Sequence, residues 1–142
     1  MGGSIPSETG TSDSDTFFIS AKSWWTSLWK LQVPAKIKVF MWKACNDMLP
    51  LFEALGKRKI PVSKLCPMCK WKNESILYNL WGCRCLKPMR NFWSPKMAGN
   101  HKGKLHFFAF IIGCVEHLNF VELGLFCVCL WKVWAIRNAS VS

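Results

Sequence analysis

Cys66-Pro67-Met68-Cys69-Lys70-Trp71-Lys72-Asn73-Glu74-Ser75-Ile76-Leu77-Tyr78-Asn79-Leu80-Trp81-Gly82-Cys83-Arg84-Cys85 is the stretch on which the reading of the chain turns. A Cys-x2-Cys pair lets two sulfurs turn toward one point in a tight loop. Structural zinc then needs two further ligands from a second element. Thirteen residues separate Cys69 from Cys83, room for a short helix that returns the chain, and Cys85 follows two positions on. Spacing alone therefore offers Cys66, Cys69 and Cys83 as zinc ligands, with an open fourth place. Two other readings of such thiols stand beside it, a buried core and a redox pair. The βαβ pattern of a redox fold is missing, and Pro67-Met68 does not set a reactive thiol at a helix start.

Working outward, 142 residues make one domain, or one domain with a tail, and 51% hydrophobic content is enough for a core. The net charge is +11, and seventeen of the nineteen basic residues fall between Lys22 and Lys104, opposed there only by Asp47, Glu53 and Glu74. Charge of this kind suits phosphate backbones or acidic partners, and also suits a solvated surface. Met1 to Thr16 lacks the apolar stretch of a secretory signal, so an intracellular place, nuclear or cytoplasmic, is expected. That compartment favours free or metal-bound thiols over disulfides.

Hydrophobic period places the elements. Residues 1–18 are polar and expected to be disordered. Ser20 opens a helix to Gln32, with Trp24, Trp25, Leu28, Trp29 and Leu31 at helical spacing. Pro34 opens a second, with Ile37, Phe40, Met41, Ala44, Cys45 and Met48 on one side and Lys36, Lys38 and Lys43 on the other; Leu49-Pro50 ends it. Leu51 to Ile60 reads as a third helix, and Asn73 or Ser75 starts another through Trp81 that Gly82 stops. Leu86 to Trp93 is a further helix, and 95–104 a linker. Leu105 to Ile136 is the most apolar region. Two runs, each too short for a membrane span, are separated by Glu116, His117, Asn119 and Glu122. A buried helical hairpin or a protein-binding surface is expected over 105–136, and membrane association is not. The fold class is all-α: a small helical domain with an irregular cysteine loop and an apolar C-terminal segment.

His101, His106 and His117 have no ligand spacing, and no nucleophile–base constellation or paired acids emerge from so few His and Asp. The chain is not expected to be an enzyme.

The run Trp25-Thr26-Ser27-Leu28-Trp29-Lys30-Leu31-Gln32-Val33-Pro34-Ala35-Lys36-Ile37-Lys38-Val39-Phe40-Met41-Trp42-Lys43-Ala44, followed by Leu49-Pro50, Leu55, Arg58, Ile60, Cys66-Pro67-Met68-Cys69, Glu74 and Cys83, resembles the reverse-transcriptase zinc-binding domain. That module occurs in plant LINE-type (non-LTR) retrotransposon polyproteins and in plant genes derived from them. The tail Trp131-Lys132-Val133-Trp134-Ala135-Ile136-Arg137-Asn138 is similar to the segment that follows the domain and leads into an RNase H-like domain. The resemblance implies a domain over 19–94, a helical segment over 105–138 and a tail over 139–142. It also implies a Cys, Cys, His, Cys ligand set for Zn2+. Cys66, Cys69 and Cys83 match that set, and Tyr78 occupies the histidine position. A neutral phenol is a poor zinc ligand, so Cys85 is a candidate replacement.

The function expected is a non-catalytic accessory module that binds RNA or DNA, chiefly through phosphates, with Lys57, Arg58, Lys59, Lys64, Lys70, Lys72 and Arg84 as contacts and Trp71 as a base-stacking surface. The competing reading is a degenerate fragment or a helical protein-interaction module with an impaired zinc site.

Overall fold

In the computed structural model, residues 13–51, 65–97 and 106–141 are described. They form five α-helices: α1 (Asp13–Lys30), α2 (Ala35–Cys45), α3 (Lys87–Met97), α4 (Phe107–Val115) and α5 (Phe120–Val141). A π-helical turn (Tyr78–Gly82) and a 3-10 turn (Arg84–Leu86) lie between α2 and α3. The all-α class is as expected. The sole β-pairing among the described residues is one antiparallel bridge, Leu65 with Asn73, across the neck of the cysteine loop.

α1 starts at Asp13, earlier than the expected Ser20, and so includes residues placed in the disordered segment. Trp24 and Leu28 are buried along its inner face and Leu31 just past its end, whereas Trp29 stands half exposed. α2 buries Ile37, Phe40, Met41, Ala44 and Cys45 as its period requires. Met48, expected on the same face, is exposed. The helix ends before it: the Asn46 side chain donates to the Trp42 carbonyl at 2.8 Å, and Asp47 turns left-handed at φ 58°. Asp tolerates that conformation better than most residues. The expected third helix over 51–60, past Leu51, the basic run Lys57-Arg58-Lys59, and Lys64 lie outside the described residues.

α3 runs to Met97, past Pro95, and so takes in the start of the expected linker. The apolar region forms two successive helices, α4 and α5, whose Phe110 and Phe126 rings lie 6.3 Å apart. Its second helix is opened by a reciprocal cap: Asn119 Oδ1 accepts from the Glu122 N–H at 2.8 Å, and Glu122 Oε1 accepts from the Asn119 N–H at 2.9 Å. Among the described residues no helix is long and apolar enough to cross a membrane.

One core joins all of these elements. Trp81, at the end of the π turn, stacks within 5.2 Å of Phe110 on α4 and 5.8 Å of Phe126 on α5. Trp93 of α3 meets Phe126 edge-on at 5.1 Å. Aromatic pairs of this kind add to plain area burial. They seat the cysteine loop on α4 and α5.

Candidate metal centre

Leu65 to Asn73 forms a tight knuckle. The Lys70 N–H donates to the Cys66 carbonyl and the Cys66 N–H to the Lys72 carbonyl, each at 2.8 Å. Lys70 takes a left-handed φ of 56°, a conformation that favours glycine, because the chain must reverse there. The return strand of the site is helical. Ser75 Oγ accepts from the Tyr78 N–H at 3.0 Å and caps the first turn, as its place in the sequence suggested.

The helix then widens, and the Cys83 N–H reaches the Tyr78 carbonyl five residues back at 2.7 Å. An α-helix brings residues three or four apart onto one face. Tyr78 and Cys83 are five apart, and the π turn is what lets both face the knuckle. Such one-turn widenings occur often at functional sites. Arg90 of α3 holds the turn from behind, donating to the carbonyls of Trp81 and Cys83 at 2.7 and 2.6 Å.

Cys66, Cys69 and Cys83 converge, with their sulfurs all within 4.8 Å of one another. Cys66 and Cys83 sulfurs lie 3.8 Å apart. Tetrahedral zinc with Zn–S bonds of about 2.3 Å requires sulfurs roughly 3.8 Å apart, so the three thiols fit one face of a zinc tetrahedron.

Cys85 stands apart. It is exposed, and its thiol is directed to the Met68 carbonyl at 3.7 Å. The reason is local: Cys83 caps, and Cys85 lies within, a 3-10 turn of three residues per turn, which points side chains two apart in different directions. Cys85 contributes its backbone instead, its N–H lying 3.5 Å from the Cys83 sulfur. The remaining side of the trio is taken by Tyr78, whose hydroxyl lies 3.1 Å from the Cys69 sulfur. When Cys69 is ionised, only the tyrosine can donate.

The electrostatics are uneven. Burial resists ionisation of Cys69, but the hydrogen bond from Tyr78 and those from the backbone of Lys72 and Trp71 outweigh it and bring the thiol down to about 7. Burial, together with the bond to Cys69, raises the Tyr78 hydroxyl above its ordinary value. Burial pushes Cys83 up to about 12 and also raises Cys66. One thiol of the trio is thus poised to ionise first, and the other two need a cation to do so.

Glu74 and Asn79 brace the loop from the far side. Glu74 pairs with Arg137 near the end of α5, Arg137 Nη2 lying 2.7 and 2.8 Å from the two carboxylate oxygens. Asn79 Nδ2 donates to the same carboxylate at 2.7 Å. Both side chains of the ion pair are buried, at 5% and 1% exposure. Residues 63 positions apart in the chain therefore form one structural unit.

Of the residues singled out for nucleic-acid contact, Trp71, Lys72 and Arg84 come together. Trp71 is 59% exposed. The Lys72 ammonium lies 5.1 Å and the Arg84 guanidinium carbon 4.7 Å from its ring centroid. Lys70 is exposed beside them. Sequence reasoning missed the π turn, Arg90 and the Glu74–Arg137 pair. The five-residue interval from Tyr78 to Cys83 was the available signal for the first.

Residues 13–93, more than half of the chain, match the family described as zinc-binding in reverse transcriptase. The chain is also similar to an Arabidopsis thaliana protein that carries the provisional name ribonuclease H protein. The two are 34% identical over 61 residues, which is 43% of this chain and 10% of that relative. The chain thus spans about a tenth of the length of the relative it matches. No solved structure matches the chain. The matched span contains the knuckle, the π turn and all three converging thiols, and the chain belongs to the reverse-transcriptase zinc-binding family.

Proposed function

We propose that this chain is a non-catalytic, retrotransposon-derived zinc module that holds single-stranded nucleic acid, working inside the cell. Zinc would be held by Cys66, Cys69 and Cys83, with Tyr78 beside the fourth position. Bound zinc supplies positive charge that keeps the three thiols ionised and ties the knuckle to the π turn. Tyr78 orients the Cys69 sulfur, the Cys85 N–H supports the Cys83 sulfur, and Arg90 fixes the carbonyls that frame the turn.

The observation that carries the nucleic-acid reading is Trp71, a large aromatic face left in solvent on the cysteine loop with two cations on its ring. A base stacks on such a face while Lys72, Arg84 and Lys70 meet its phosphates. The same cations would offset the negative charge that a three-thiolate zinc site carries.

Fluorescence anisotropy with a labelled oligouridylate, from 50 to 200 mM salt, tests the reading. Affinity should fall steeply with salt, and Trp71→Ala should cost about 1–3 kcal/mol. Binding that ignores both salt and Trp71 would refute it.

A further inference from the structure

A second group of cations on an aromatic ring lies on the helical face, away from the cysteine loop in sequence and on different elements. Trp131 of α5 is half buried. The Lys36 ammonium of α2 lies 4.8 Å from its ring centroid, and the Lys132 ammonium of α5 lies 5.5 Å from it. Two helices thus bring two like charges to a single indole.

Neither charge is explained by the fold. Lys36 sits in the first turn of α2, where the helix dipole disfavours a cation, and that turn holds no acidic residue. Neither lysine has a carboxylate partner among the described residues, where Glu74 and Glu122 are engaged by Arg137 and Lys96. Arg137, one turn and a half further along α5, makes the contrast: it lies over Trp134 but is neutralised by Glu74 in the interior. Lys36 and Lys132 are both exposed. The ring holds the lysine heads in place by attraction to its face, so little side-chain freedom is left to lose on meeting an anion.

We infer that Lys36, Trp131 and Lys132 form a phosphate-binding site for a polynucleotide strand, separate from the Trp71 surface. The inference rests on the nucleic-acid reading above and gives that reading a second point of contact. Recognition runs through phosphates, so RNA and DNA strands share it.

The test uses the full chain loaded with zinc, and oligouridylate and oligothymidylate as probes, with affinity followed across salt. Lys36→Gln with Lys132→Gln removes two phosphate contacts. For a single strand that makes the slope of log K against log salt shallower by about 1.4, and weakens binding about 25-fold at 0.1 M salt. The curves of parent and variant should converge near 1 M. Lys36→Arg with Lys132→Arg should restore the slope. The same loss of two charges at Lys22 and Lys87, both exposed and on other helices, should leave the slope unchanged. A Gln pair with the parent's slope, or a Lys22/Lys87 pair as damaging as the Lys36/Lys132 pair, overturns the site while Trp71-dependent binding stands. Failure of the parent chain to bind either strand overturns both proposals. Loss with one strand type and not the other overturns recognition through phosphates alone.

Discussion

The Tyr78 hydroxyl stands beside the three thiols, 3.1 Å from the Cys69 sulfur, and a neutral phenol is a group that zinc accepts poorly. Replacing it by histidine should add a nitrogen donor to the three sulfurs and tighten zinc binding. Competition with a chromogenic chelator would measure it. Tyr78→Phe has the opposite use. In the metal-free chain, Cys69 at about 7 should be alkylated fastest of the three clustered thiols at neutral pH, and removing the phenol hydroxyl should slow it. Peptide mapping after timed iodoacetamide treatment reads this directly. At the same scale, Lys70 occupies a left-handed position that glycine adopts freely. Lys70→Gly should leave thermal stability unchanged or slightly raised while removing one cation from the Trp71 surface.

At the scale of elements, the π turn and α5 govern the site. A Cβ at Gly82 would lie 3.3 Å from Tyr78 Cδ1, so Gly82→Ala must push the phenol ring, the neighbour of Cys69. A cost of about 1–3 kcal/mol and looser zinc are expected from denaturant melts and chelator competition. α5 is fastened to the loop by Arg137 and Glu74. Removing one partner leaves a buried charge alone, so Arg137→Met or Glu74→Gln should destabilise the chain by about 3–5 kcal/mol.

The sequence made the pattern of these elements legible where apolar period and a start signal agree, as in α2 after Pro34 and in the turn capped by Ser75. It hid α1's early start, because residues 13–18 carry no strong period. It hid the passage of α3 through Pro95 as well, because proline near a helix end is weak evidence of a stop. Glu74 and Arg137 both stood in the motifs, but nothing local says that two charges 63 residues apart will meet.

At the scale of the whole molecule, one core spans the cysteine loop, α4 and α5, and buried thiols run through it. Burial pushes Cys45 and Cys127 up to about 12, as it does Cys83. Groups raised in this way favour the folded state fully below their unfolded value near 9, and that contribution disappears as pH climbs through the folded values. In chelator, the melting temperature should therefore decline from about pH 9 upward. With zinc, Cys66 and Cys83 are already ionised, and the decline should be smaller. The convergence of three thiols was legible in their spacing. The exclusion of Cys85 was not, since it depends on the 3-10 turn.

The measurement that bears most directly on the account is zinc content by native mass spectrometry of the full chain, alongside Cys83→Ser and Cys85→Ser. The account predicts one zinc per parent chain, retained in Cys85→Ser and lost or sharply weakened in Cys83→Ser. A parent chain without zinc, or zinc that survives Cys83→Ser and leaves with Cys85→Ser, would contradict it.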